Sequence, residues 1–321
     1  MEHWVDGRRA DADVILARWE ARDPQVRHLM VGEAGWDRVR PILEDDRLSG
    51  VEGLRIESVR IETAKRFQEL LATPLVAGAS ELQLAALGLQ GPALGRLGKL
   101  KGSPGLRSLT IGWGEFDKPL DERALRSLLK PPAKALAQLE ALALVDWKPL
   151  NDRLVGADPV VGQLRSLRVR VTRPDWLLRW LAEQNSPLQT LDTMVRGSQP
   201  LDWTRAYPGD ALPELRKLVL GGDPQAALPR LGDAPFYAHV EVLGWRLQRD
   251  PTSALAALAA LPAGPRRLQL IAPPSGLDVA ALAALDGGTL TAGLERVELV
   301  DVTLDGGATD ALAPSIRSLL D

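Results

Sequence analysis

One pattern governs what this 321-residue chain can fold into: apolar-x-x-apolar-x-apolar recurs eleven times from residue 26 onward. It reads Val26/Leu29/Val31, Val51/Leu54/Ile56, Ala79/Leu82/Leu84, Leu106/Leu109/Ile111, Leu139/Leu142/Leu144 and Leu164/Leu167/Val169. It continues as Leu188/Leu191/Thr193, Leu215/Leu218/Leu220, Tyr237/Val240/Val242, Pro265/Leu268/Leu270 and Leu294/Val297/Leu299. The starts lie 25, 28, 27, 33, 25, 24, 27, 22, 28 and 29 residues apart. The last two apolar positions, two apart, point to one face of a short strand, and the first packs where the chain enters it. One strand cannot bury such a face alone. Neighbours stacked at about 4.8 Å per strand make a parallel sheet with a shared apolar core behind it.

Between strands the chain must return along the other side, and amphipathic stretches opening at Glu62, Asp121, Pro174, Pro251 and Ser275 predict helices there. Pro or an acidic residue opens most of them, as the first turn of a helix favours. Residues 1–25 predict a helical cap over the first strand, with a helix from Asp11 to Arg22 carrying Val14, Ile15 and Trp19. A second cap is expected from about residue 306. Exposed apolar ends of a stacked array need such covers.

The period, averaging about 27 residues, and the apolar triplets resemble the leucine-rich-repeat family over about residues 26 to 321. The resemblance implies an α/β fold: a solenoid or horseshoe of about eleven repeats, with a parallel concave sheet and helices and irregular returns on the convex side. The family usually places Asn at the ninth position of its repeat, whereas Trp147, Thr172, Asp223, Trp245 and Val302 occupy it here. No asparagine ladder is expected, and the turns should be irregular. The family's secreted bacterial ubiquitin ligases need a catalytic cysteine, which this chain lacks.

Composition narrows the function classes. The chain is 45% hydrophobic with 4% aromatic residues, so its core must be aliphatic, and nothing suggests wholesale disorder. A net charge of −3 gives no broad attraction for phosphate backbones or anionic lipid. With no cysteine there is no disulfide, thiolate metal site or cysteine nucleophile. The charged N-terminus lacks an apolar h-region, and no run of 18 apolar residues occurs, so a soluble cytoplasmic protein without membrane contact is expected. Arginine outnumbers lysine 31 to 8, a bias of GC-rich genomes that points to a bacterial source.

Enzyme motifs are missing: there is no GxxxxGK[ST], no GxGxxG after a strand, no GxSxG and no HExxH. His28 and His239 fall in the first and ninth repeats, nearly ~40 Å apart at ~4.8 Å per strand, and cannot share a metal or a triad. Acidic pairs such as Asp45/Asp46 are uninformative among 42 carboxylates. The glycine pairs at 221–222, 287–288 and 306–307 suit turns. No cofactor, no metal and no catalysis are expected.

Function is therefore expected on the sheet face that no core demand dictates. Arg165, Arg168 and Arg170 form a stripe in the sixth repeat, joined by Arg216 and Lys217 in the eighth and Arg266 and Arg267 in the tenth. Against them stand Glu52, Glu57, Glu81, Glu140, Asp146, Glu295, Glu298 and Asp301. A face patterned in both signs suits a protein or peptide better than a uniform polyanion. Trp113, Trp147 and Trp245 are expected on the rim as binding anchors or as fillers of the missing ladder, and Trp176 and Trp180 share one helical face. The stripe either meets a ligand or pairs with neighbouring carboxylates such as Glu140 or Asp192. The leading expectation is a non-catalytic protein- or peptide-binding scaffold using Arg165, Arg168, Arg170, Arg216 and the three rim tryptophans. The alternatives are a substrate-recognition subunit of a modifying enzyme complex and, more weakly, a nucleic-acid binder through the same arginines.

Overall fold

The computed structural model describes residues 2–5, 8–10, 28–32, 35–48, 50–59, 61, 63–87, 105–112, 136–145, 149–151, 155, 159–195, 199–204, 212–248, 251–272, 277, 279–300 and 314–320. The chain divides into two compact units, Met1–Leu150 and Asn151–Asp321. Both are α/β, with parallel strands and helical returns.

In the first unit, alternation puts Leu and Ile on one side of five parallel strands: β3 (His28–Gly32), β4 (Gly53–Glu57), β5 (Glu81–Ala85), β6 (Ser108–Ile111) and β7 (Ala141–Leu144). The register joins Leu29, Leu54, Leu82, Leu109 and Leu142 in one row, and Val31, Ile56, Leu84, Ile111 and Leu144 in the next. All ten are buried. The side behind them is packed by α1 (Trp36–Leu43) and α2 (Ala64–Leu71). The helix expected at Glu62 is α2; the Thr63 side chain caps it by accepting from the Arg66 N–H at 3.2 Å, and it buries Phe67, Leu70 and Leu71.

The first unit's outer edge differs from the expectation. β1 (Glu2–Val5) pairs antiparallel with β3, and β2 (Arg8–Ala10) pairs antiparallel with β1. An antiparallel hairpin satisfies the open N–H and C=O groups of β3 directly, which a helix lying across the edge would not. The helix expected over Asp11–Arg22 lies outside the described residues.

The second unit carries six parallel strands: β8 (Ser166–Val171), β9 (Thr190–Val195), β10 (Lys217–Gly221), β11 (Val242–Arg246), β12 (Arg267–Ile271) and β13 (Arg296–Val300). Leu167, Leu191, Leu218, Leu243, Leu268 and Val297 form its first core row. In the ninth repeat the frame is therefore Val240/Leu243/Trp245, not Tyr237/Val240/Val242: Leu243 stands opposite Leu218 and Leu268, and Trp245 opposite Leu220 and Leu270. Tyr237 instead lies in a short 3-10 helix, Pro235–His239, and donates its hydroxyl to the Pro262 carbonyl at 3.0 Å. Its burial pushes the phenol pKa up. The corrected starts of repeats eight to ten, Leu215, Val240 and Pro265, are evenly spaced.

The expected helices at Pro174 and Pro251 form as α3 (Pro174–Glu183) and α4 (Thr252–Ala259). In α3, Pro174 opens the first turn and Asp175 follows, fully buried. Asp175 accepts from Arg173 at 2.9 and 2.5 Å and from the Asp202 N–H of the next repeat at 3.1 Å, which ties two returns together. The return after Ser275 winds as a 3-10 helix over Val279–Leu285 and then as a single α-helical turn, Thr289–Ala292. At the far edge, the β13 residue Val297 donates its N–H to the Leu319 carbonyl at 2.6 Å, so the segment after helix Pro314–Arg317 covers that strand. Residues 301–313, where the second cap was expected to begin, lie outside the described residues. No helix among the described residues is long and apolar enough to cross a membrane.

Candidate functional site: the open sheet faces

Opposite the leucine rows, alternate strand residues project from the other face of the sheet, and the hydrogen-bonded ladder spaces them in rows. In the second unit the row at the strand entrances runs Arg165, Gln189, Arg216, Glu241, Arg266, Glu295, each N–H donating to the carbonyl of the residue before it. This row is nearly self-compensating. Arg216 lies 3.4 Å from Glu241, and Arg266 lies 3.5 Å from Glu295.

The three rows beyond it are not balanced. They hold Arg168, Arg170, Lys217, Arg246, Arg267 and Arg296 against only Asp192 and Glu298. Each of those carboxylates is shared by two guanidiniums. Arg168, directly opposite on β8, lies 3.3 Å from Asp192, while Arg246 reaches it from β11 with contacts of 3.2 and 2.5 Å. Glu298 lies 3.9 Å from Arg267 and 3.7 Å from Arg296, and accepts from Gln269 at 3.3 Å.

Arg246 can reach Asp192 only by crossing β10. Gly221 permits it: a Cβ there would meet the Arg246 Cβ at 2.8 Å. The arginine stem lies over the glycine, and the pair ends with side-chain exposures of only 22% and 17%. Shielding of this degree makes the interaction stronger than an ordinary surface pair.

The first unit's face has the opposite sign. Its described charges are Glu52, Glu57, Glu81 and Glu140 against Arg55 and Arg107. Arg55 pairs with Glu57 at 2.5 Å and Arg107 with Glu140 at 3.2 Å. The same glycine device recurs here. The His28 ring leans over Gly53, whose Cβ would stand 2.1 Å from the ring, and Nε2 comes to rest 3.6 Å from Glu81 on β5. Both ends are 59% exposed. A groove of about 300 Å³ opens beside them, lined by Met30, Arg55, Gln83, Ser108 and Thr110.

The residues expected to form a binding surface separate cleanly. Arg165, Arg168 and Arg216 are exposed on the second unit's face and Arg170 is half-buried there. Arg168 makes the internal pairing with Asp192 that was the rival to a ligand. Trp245 is corrected: it is 0% exposed, a strand residue in the core row between Leu220 and Leu270, and cannot anchor a partner. The slipped frame had placed it beyond the strand. Trp113 and Trp147 lie outside the described residues. His239 ends a 3-10 helix ahead of β11, and His28 lies on β3. Trp176 and Trp180 are half-buried on α3, with the Arg179 guanidinium 5.2 Å from the Trp176 ring and Trp180 packed over Gly162.

Arg246, Gly221, Gly53 and the groove were not anticipated. Of these only Arg246 had a signal in the sequence, the even spacing of repeats eight to ten, which puts it in the outward row once Trp245 is read as a core position. Among the described residues no group of three His, Asp or Glu side chains could hold a metal ion. A scan against protein-family models finds no match along the chain, and a comparison with curated protein sequences finds none either.

Proposed function

We propose that the chain is a leucine-rich-repeat solenoid that works as a non-catalytic scaffold, holding a protein or peptide partner against the concave side of its strands. One observation carries the reading: the ladder presents charged side chains of both signs at fixed spacing on the face opposite the leucine rows, where no described helix packs. A rigid charged array steers encounter and rejects partners of the wrong pattern, which is what recognition of a protein surface needs. The arginines 165, 168, 170 and 216 are the residues assigned to contact.

The test compares wild type with the triple variant Arg165→Glu/Arg168→Glu/Arg170→Glu in affinity capture with in-cell crosslinking. Crosslinks that map to peptides carrying β8 to β10, and that disappear in the variant while its circular dichroism is unchanged, support the reading. An identical set of crosslinked partners for both proteins overturns it.

A further inference from the structure

We propose that the groove on the first unit takes an arginine side chain of a polypeptide partner, with the Glu81 carboxylate as its counter-ion. This rests on the scaffold reading for the partner being a polypeptide, and names a residue that the partner presents.

The ladder builds the groove. His28, Gly53, Glu81 and Ser108 stand in one register row of β3 to β6, and Met30, Arg55, Gln83 and Thr110 in the next outward row. Gly53 brings no side chain to the first row, and the His28 ring leans over it. Beside them opens the space of about 300 Å³. That is the small end of the range for ligand sites, about 300–1,000 Å³, and suits one long side chain better than a cofactor.

Charge gives the sign of the occupant. Arg55, the one guanidinium among the described lining residues, is held by Glu57 at 2.5 Å. Glu81 faces the His28 imidazole at 3.6 Å, a contact longer than a hydrogen bond and ionic only when the ring is protonated. Its side chain is 59% exposed, and among the described residues no guanidinium or ammonium pairs with it. A cation can therefore reach a carboxylate that the fold itself leaves uncompensated.

Hydrogen bonding narrows that cation to a guanidinium. Gln83, Ser108 and Thr110 are half-buried, and none of their side chains bonds a described group. With Glu81 they offer acceptors on two adjacent strands, β5 and β6. A guanidinium presents five donors in a plane and serves several acceptors at once, whereas an ammonium is a compact charge with three donors and a stronger hold on its water. Met30, half-buried in the wall, gives the aliphatic stem an apolar surface to lie on.

Methionine-methyl NMR of the full chain tests this. Met30 lines the groove and Met194 lies on β9 of the second unit, so one spectrum holds a reporter and a control. The probes are capped glycine peptides carrying one central arginine, lysine or neutral citrulline. The arginine peptide should move the Met30 resonance saturably and leave that of Met194 in place. The lysine peptide should bind at least threefold more weakly, and the citrulline peptide should not bind. Glu81→Gln should weaken the arginine peptide at least tenfold, while Glu183→Gln, an exposed carboxylate on α3, changes it less than twofold. Ser108→Ala/Thr110→Val should weaken it at least threefold and narrow its margin over lysine. Three results each overturn the proposal: no saturable movement of Met30, equal binding of the lysine or citrulline peptide, or undiminished binding by Glu81→Gln. The scaffold reading fails instead on the crosslinks at β8 to β10, so the two failures are told apart.

Discussion

The two units solve one local problem in the same way and reach different ends. In each, a glycine in the middle strand lets a long side chain from one neighbour cross to an acidic residue on the other: His28 over Gly53 to Glu81, and Arg246 over Gly221 to Asp192. The first crossing ends in solvent at 3.6 Å, and the second ends shielded at 2.5 Å. The first lies on a face with an excess of acids, the second on one with an excess of bases. Glycine supplies the passage, and the length and donor count of the side chain laid across it decide whether the crossing becomes a joint.

The largest test of this contrast is the anchoring of the strand that carries Arg246. Trp245→Ala removes a fully buried ring from the core row and should cost about 3–5 kcal/mol, read as a lower urea midpoint. A loss below about 1 kcal/mol would show that β11 is not held there. Asp192→Ala comes next. It strands two guanidiniums on a shielded face, and about 1–2 kcal/mol of stability should go, since charged hydrogen bonds are worth about that when part-buried. The corresponding Glu81→Ala should be close to neutral, because its contact is exposed.

The glycines separate the units directly. Gly221→Val drives a branched side chain into the Arg246 Cβ, close to the backbone, and should cost about 1–2 kcal/mol while raising the reactivity of Arg246 toward phenylglyoxal. Gly53→Val displaces an exposed imidazole ring rather than a stem at its Cβ and should stay within about 0.5 kcal/mol, offset by better strand propensity. Equal costs for the two would erase the comparison.

The smallest effect is a reference pair on the first unit. Arg47 hydrogen-bonds Asp45 and lowers its pKa. A lowered carboxylate pKa adds stability above the unfolded-state value of about 3.9, lost as pH falls through the folded value. Asp45→Asn should therefore destabilise by less than about 1 kcal/mol at neutral pH, with the difference fading in acid. A difference that persists below pH ~2 would point to something other than this ionisation.

Much of the fold was legible because the leucine rows demand it. Leu82/Leu84 or Leu268/Leu270 can face only one way in a strand, and the register obeys them. The ninth repeat misled because Val240 and Val242 fit the template while its true third residue is tryptophan, which an aliphatic template passes over. That slip of three residues turned a core residue into an expected rim anchor and hid Arg246. The strand pairing of residues 2–10 was illegible for another reason: an edge hairpin repays backbone hydrogen bonds, and these leave little mark on side-chain pattern. The sign of each face could be read from the charges at outward positions. The crossings could not, since nothing in a glycine's neighbours says which side chain will lie over it.

The Arg246 to Asp192 contact spans two repeats, skipping the one between. Stacked arrays are ordinarily treated as chains of modules that each feel only the next. Here repeats seven, eight and nine form a block that cannot be shuffled one at a time. Duplicating the eighth would leave every hydrophobic seam intact and still cut this tie, so an engineer extending this array must treat the three together.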